Sequence, residues 1–297
     1  GPGSPAPDSP ATNSTPSPSR AVPLSPSDLA SGLPDTDLDD SFFDWYRAMV
    51  VQDRDRGFED GSQAGLQDLL PLLDELNDPA LPPFRIFFLD QRRLLCLLGG
   101  AAQLPATQLF EAVWEYAYRY FGCSLNAGFS AAAQGRQQLA AAYQQAVDAA
   151  DHCFQTGESI HFFDRIGQRH ELDLPELSRL SEAFRRAVAS LVTERMQAAS
   201  AGFFQYLRNC RTVDPERFRS LVWDFLVPLR ERATNCCIDV NQVAETETQR
   251  PWEIVFSARN LMDLERWASG HIQDIQTQIR LAETRKVRPE IQRIIDW

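Results

Sequence analysis

Three of the four histidines of this chain lie within nineteen positions, interspersed with a cysteine and several carboxylates. Imidazole, thiolate and carboxylate groups are zinc ligands, and imidazoles and carboxylates also serve as general acids and bases. The residues concerned are His152, Cys153, His161, Asp164, His170, Glu171 and Asp173. Successive histidines are nine residues apart, which fits neither an i, i+4 pair on a helix nor a zinc finger. We therefore expect ordinary loop and helix-end residues here. A metal-binding or hydrolytic enzyme centred on His152–Asp173 is the first alternative.

The short signatures of common enzyme classes do not occur in the sequence. It has no phosphate-binding glycine-rich loop, no Gly-x-Ser-x-Gly, no His-Glu-x-x-His and no Cys-x-x-Cys. The six cysteines show no framework spacing, and Cys236 and Cys237 are adjacent, which disfavours a disulfide between them. We expect a reduced intracellular protein, cytoplasmic or nuclear, with no cofactor, no metal and no catalytic residue.

An acidic and aromatic segment, Asp35–Val50, is a stronger signal for binding. Its aromatic and apolar members are Phe42, Phe43, Trp45, Tyr46 and Met49. Because three of them recur at i, i+4 and i+7, the spacing predicts an amphipathic helix. So large an apolar area favours packing on the rest of the chain as a first helix. The other interpretation is a helix that docks in a partner's groove, with aromatic anchors and carboxylates that steer the encounter.

A second binding signal follows at Leu66-Gln67-Asp68-Leu69-Leu70. This Leu-x-x-Leu-Leu pattern places Leu66, Leu69 and Leu70 on one side of a helix, from which they could enter a hydrophobic groove. The five residues resemble the docking motifs of nuclear-receptor coregulators. The pattern also arises in any leucine-rich helix, so packing in the core of this chain is the interpretation we favour.

The first 34 residues differ in character from everything that follows. Gly1 to Ser4 resemble the remnant of a cleaved expression tag, and the remainder is rich in proline, serine, alanine and threonine. Such a composition buries too little apolar surface to offset the entropy of ordering, so the sequence predicts a disordered arm. Proline follows four hydroxyl residues that are candidate phosphorylation sites: Ser9, Thr15, Ser17 and Ser25.

The chain is acidic, with a net charge of −12 and a pI of about 4.8. Phosphate backbones and anionic lipids repel such a protein, which argues against nucleic acid or a membrane surface as its main partner. Arginines do cluster within 208–219 and again within 280–293. A nucleic-acid-associated factor that uses one of these arginine faces is therefore the second alternative.

Apolar periodicity predicts helices over most of the remaining chain. The expected helices cover residues 66–76, 105–121, 129–154, 174–207, 214–229, 251–267 and 271–297. Residues 84–98 fit either a buried helix or a strand through 84–88, because period alone does not separate the two. Residues 156–173 fit a short hairpin or an exposed functional loop, and this is where two subdomains could divide.

These patterns together predict an all-α, irregular multi-helix domain of about eight to ten helices behind a disordered arm. The expected organisation is an arm over 1–34, an acidic aromatic helix and loop over 35–65, and a helical body over 66–297. The function predicted is a non-enzymatic adaptor, scaffold or regulatory subunit. Its expected partners are proteins, which it binds through a helix or a hydrophobic groove, with no membrane and no nucleic acid.

Overall fold

A five-stranded mixed sheet lies at the centre of the protein, so the prediction of an all-α fold is wrong. Its strands are β1 (Tyr46–Asp53), β2 (Phe84–Asp90), β3 (Arg93–Gly99), β4 (Leu125–Phe129) and β5 (Ile160–Phe162). They are arranged in the order β2-β3-β1-β4-β5. Neighbouring strands are antiparallel except β4 and β5, which are parallel. The protein therefore belongs to the mixed α/β class.

The computed structural model describes residues 40–54, 66–69, 83–90, 92–100, 106–167, 169–211, 214–239 and 250–295. Side chains of the last helix are described as far as residue 285. The predicted arm over 1–34, with its four candidate phosphorylation sites Ser9, Thr15, Ser17 and Ser25, lies outside the described residues, and so does Leu70.

Strand β1 replaces the acidic aromatic helix that the sequence predicts over Asp35–Val50. Within the described part of that segment, Asp40–Asp44 forms a 3₁₀ turn and the chain then enters β1. Ala48 and Val50 contact one core cluster while Met49 and Val51 contact another, and all four are fully buried. A strand that is covered on both faces is apolar at every position. The apolar spacing of i, i+4 and i+7 that predicted a helix therefore occurs in this strand by coincidence.

The uncertain segment 84–98 folds into a hairpin of β2 and β3. The two strands pair in register from Phe84 opposite Leu98 to Asp90 opposite Arg93, with a shift between Phe88 and Asp90. Leu94 to Leu98 are buried, because β3 lies between two other strands and is covered on both faces. The strand interpretation was the correct one, and it extends further along the chain than the predicted 84–88.

The described part of the chain contains eight α-helices in addition to the sheet. They are α1 (Ala106–Phe121), α2 (Leu139–Thr156), α3 (Leu174–Ser190), α4 (Thr193–Asn209), α5 (Pro215–Phe225), α6 (Val227–Asn235), α7 (Pro251–Ser257) and α8 (Leu261–Ile295). Helix α1 confirms the predicted bounds, and it stops at Gly122, whose φ of 67° suits glycine. Helices α5 and α7 start at prolines, as predicted. The predicted helix over 129–154 is wrong before Leu139, because Phe129 ends β4.

Helices α1 and α2 cover opposite faces of the sheet. Leu109, Val113 and Ala117 of α1 belong to the core cluster that includes Met49. Ala142, Ala146 and Ala150 of α2 belong to the cluster that includes Val50. Helix α2 approaches β4 so closely that a Cβ atom at Gly128 would lie 2.6 Å from the carbonyl carbon of Ala149. The alanine-rich composition of α2 and the glycine in β4 together permit this contact.

Helices α3 to α8 form a second layer with its own core. Phe203 and Phe225 stack with ring centroids 4.0 Å apart, and Phe184 stacks on Phe225 at 4.2 Å. Helix α8 contributes a buried stripe that runs from Leu261 to Ile279. In the residues that the structure describes, no helix combines the length and the apolar character needed to cross a bilayer.

Candidate functional site

A row of polar side chains crosses four strands at one end of the sheet. Asp90 of β2 pairs with Arg93 of β3, Arg93 pairs with Gln52 of β1, and Gln52 pairs with Asn126 of β4. Residues paired across antiparallel strands share a face of the sheet, and here that face is the one covered by α2. Two positions earlier in β1, Val50 and its partner Leu95 belong to the apolar core. The face therefore changes from apolar to polar at its last row.

This polar row forms the floor of a cleft of about 560 Å³, which we call the charged cleft. Its walls come from the ends of other elements: Asp151 and Phe154 from α2, Asp214 to Glu216 and Arg219 from the start of α5, and Arg259 from the turn between α7 and α8. Both the sheet and the helical layer contribute, so their packing against each other sets the width of the cleft.

Five acidic residues and five arginines line the charged cleft. Arg93 and Asp90 form an ion pair of 2.9 Å across the β2–β3 turn. Arg219 binds the Glu216 carboxylate at 2.9 Å and donates a second hydrogen bond of 2.7 Å to the backbone oxygen of Ala258. These bonds hold both walls in place, and they pair Arg93 and Arg219 with carboxylates inside the cleft.

One corner of the cleft is rich in hydrogen-bond acceptors, and we call Asn126, Asp151 and Asp214 the acceptor corner. Burial raises the pKa of Asp151 to about 7, and the charge of the neighbouring Asp214 carboxylate contributes to this rise. Arg93 and a hydrogen bond from Gln52 act in the opposite direction without overcoming burial. Asn126 is buried, and its Oδ1 atom has no hydrogen-bond partner in the structure.

Changing Asp151 to asparagine should remove a pH-dependent loss of stability. The folded protein holds the Asp151 proton with a pKa of about 7, against an ordinary value of 3.8, so the carboxyl lowers stability as pH rises between these values. We expect Asp151→Asn to raise the free energy of unfolding by about 2 kcal/mol at pH 8 and by almost nothing at pH 4. Urea denaturation at both pH values measures this difference. The exposed Asp224→Asn serves as the control, and an equal effect of Asp151→Asn at both pH values would contradict the assignment.

The histidines of the predicted cluster fall into two separate places. The rings of His152 and His161 stack with centroids 4.3 Å apart, and His152 Nδ1 is 2.6 Å from Gln155 Oε1. Burial lowers the pKa of His152 to about 4, with the charge of Arg169 acting in the same direction. His170 instead lies against Tyr206, with its Nε2 atom 3.5 Å from Cys210 Sγ.

The remaining members of that cluster are dispersed. Cys153 is buried and donates to a backbone oxygen of β4, Asp164 pairs with Arg47 at 3.7 Å, and Glu171 pairs with Arg211 at 3.6 Å. Within the described residues, no three histidine, cysteine, aspartate or glutamate side chains are placed to hold one metal ion. The region connects β5 and the helical layer through hydrogen bonds.

The residues predicted to bind a partner lie mostly in the core. Five of them are buried: Phe43, Tyr46, Met49, Leu66 and Leu69. Phe42 is half-buried, and Trp45 is 45% exposed. Packing on the chain's own core is the interpretation favoured from the sequence, and it therefore holds for five of the eight candidate partner-binding residues. Partner binding through them stays a prediction that requires the buried five to leave the core.

The first arginine cluster is interspersed with carboxylates. Arg208 pairs with Glu265, and Arg211 pairs with Asp148 at 3.8 Å as well as with Glu171. Arg219 is buried in the wall of the charged cleft. Use of this face for nucleic acid, the second alternative, stays a prediction.

Sequence reasoning did not single out the charged cleft. Gln52 and Asn126 are ordinary polar residues at the ends of strands, and in the sequence Asp214 is only the first residue of a predicted helix. The available signal was a polar residue next to a short apolar run at each strand end. Its meaning depends on strand register, which the sequence alone does not provide.

Comparisons with known proteins leave the family open. No protein-family model matches the chain, and no curated protein matches it significantly. Among solved structures, it is similar to the Vibrio cholerae LapD S helix-GGDEF-EAL protein bound to c-di-GMP, with a TM-score of 0.33 and 13% sequence identity. The likeness covers 56% of this chain and 39% of that one. At this TM-score it supports no inference about fold or function.

Proposed function

We propose that the protein is a non-enzymatic binding module that holds a peptide segment of a partner protein in the charged cleft. The observation that supports this proposal is the cleft itself, which both layers of the fold line with charged and amide side chains. Its volume of about 560 Å³ falls within the range of typical ligand sites.

A peptide suits the chemistry of this surface. Both carboxylates and guanidinium groups line the cleft, and a peptide presents both N–H donors and C=O acceptors along its length. Ion pairs such as Arg93–Asp90 hold the side chains in one arrangement before the ligand arrives, which reduces the entropy lost on binding. Complementary charges between a cleft and its ligand contribute specificity and orientation more than raw affinity.

Screening an immobilised library of random hexapeptides against the purified protein tests the proposal. We expect peptides whose binding changes at least about tenfold in Arg259→Glu, which reverses one charge on the cleft wall. Arg195→Glu makes the same change on the exposed face of α4 and should leave binding unchanged. A library that yields no binder, or binders affected equally by both variants, would contradict the proposed function.

A further inference from the structure

We propose that the acceptor corner of the charged cleft, formed by Asn126, Asp151 and Asp214, binds an alkylammonium or guanidinium group of the ligand. This inference rests on the proposed function and specifies its ligand: a peptide that carries a lysine or arginine side chain, inserted between the end of the sheet and the start of α5.

Asn126 provides the first part of the argument. It lies on β4 at the end of the polar row, is only 5% exposed, and lines the cleft. Its Oδ1 atom is buried and has no hydrogen-bond partner. Buried acceptors are almost always satisfied in folded proteins, because leaving one unpaired forfeits its interaction with water. A ligand that donates a hydrogen bond at this place would satisfy it.

Two carboxylates provide the second part. Asp151 projects from α2 and Asp214 precedes α5, and the two are close enough that the charge of one raises the pKa of the other. Asp214 accepts a hydrogen bond of 3.0 Å from the backbone N–H of Glu216, and Asp151 receives its hydrogen bond from Gln52. A cation placed between them would replace their repulsion by two attractions.

The nearby arginines are already held by other groups. Arg93 is bonded to Asp90 at 2.9 Å, and Arg219 is bonded to Glu216 and to the oxygen of Ala258. Among the described residues no three histidine, cysteine, aspartate or glutamate side chains are placed to hold one metal ion. An organic cation suits the acceptor corner, because it carries several N–H donors and the corner offers an amide oxygen and two carboxylates as acceptors.

Calorimetric titration with four matched peptides tests the inference. The probes are acetyl-Gly-X-Gly-amide with arginine, lysine, citrulline or norleucine at X, together with free argininamide. We expect the arginine and lysine peptides to bind at least about tenfold more tightly than the citrulline and norleucine peptides. Asp151→Asn and Asp214→Asn should each remove that preference, whereas the matched Asp224→Asn, near the far end of α5, should keep it. Asparagine caps a helix as well as aspartate does, so Asp214→Asn should fold normally.

The outcomes separate this inference from the proposed function. If the citrulline peptide binds as tightly as the arginine peptide, the cation inference fails while peptide binding stands. If argininamide binds as tightly as the arginine peptide, the cation site is supported and the peptide proposal is not. If none of the five probes binds, the cation inference fails, and the hexapeptide library alone then decides the proposed function.

Discussion

Replacing Gly128 by alanine should lower the free energy of unfolding by about 3 kcal/mol or more and leave much of the protein unfolded on expression. An added methyl group would lie closer than 3.0 Å to three backbone atoms of α2, contributed by Ala146, Ala149 and Ala150. Backbone atoms inside a helix cannot move aside individually, so the whole of α2 would have to shift away from β4. That shift would open the apolar cluster between α2 and the sheet, which includes Val50.

Gly270→Ala is the matched control for this change. Gly270 lies within α8, and apart from its chain neighbours and the adjacent helix backbone a methyl group there would meet no atom within 4 Å. Alanine is the better helix former, so Gly270→Ala should raise stability by about 0.5–1 kcal/mol. Urea denaturation followed by circular dichroism measures both variants. A Gly128→Ala protein with wild-type stability would show that α2 does not pack on β4 as described.

The second large effect is expected for Arg219→Ala, which should lower the free energy of unfolding by about 3 kcal/mol. Arg219 is buried, and its guanidinium group lies 4.9 Å from the ring centroid of Phe154. It also donates to Glu216 and to the backbone oxygen of Ala258. Truncation would remove a cation–π contact and the hydrogen-bond donor to the carbonyl oxygen of Ala258.

Arg217→Ala provides the comparison, because Arg217 belongs to the same helix but is exposed. Its replacement should change stability by no more than about 0.5 kcal/mol. Thermal unfolding of the two variants measures the contrast, and the Arg219 variant should also show a wider cleft in a crystal structure. Equal stability of the two variants would mean that the contacts of Arg219 with Phe154, Glu216 and Ala258 do not stabilise the fold.

Local signals in the sequence predicted several helix starts correctly and the strands poorly. Pro215 and Pro251 mark helix starts and Gly122 marks a helix stop, because these residues restrict or extend backbone conformation by themselves. A strand in the middle of a covered sheet has no comparable signal. Val50 and Val51 face opposite cores, so β1 shows no alternation of polar and apolar residues.

The charged cleft was beyond the reach of sequence reasoning for a different reason. Gln52, Asp90, Arg93 and Asn126 belong to four different strands, and only the register of the sheet makes them neighbours. Asp214 belongs to the helical layer and lies more than eighty positions after Asn126 in the chain. Pairings of this kind depend on tertiary packing, whereas each residue taken singly resembles an ordinary surface residue.

Because α8 is long and unbroken, a small rotation at one point moves its far end over a larger distance. The 35 residues of Leu261–Ile295, at about 1.5 Å each, make a rod roughly 50 Å long. Among the described side chains its buried stripe reaches Ile279, and Arg232 binds Glu283 one turn further on. The part of α8 beyond Ile279 is about 24 Å long at about 1.5 Å per residue, so a tilt of about ten degrees at Ile279 would move its tip by roughly 4 Å. A small rotation at Ile279 thus becomes a displacement of several ångströms at the tip.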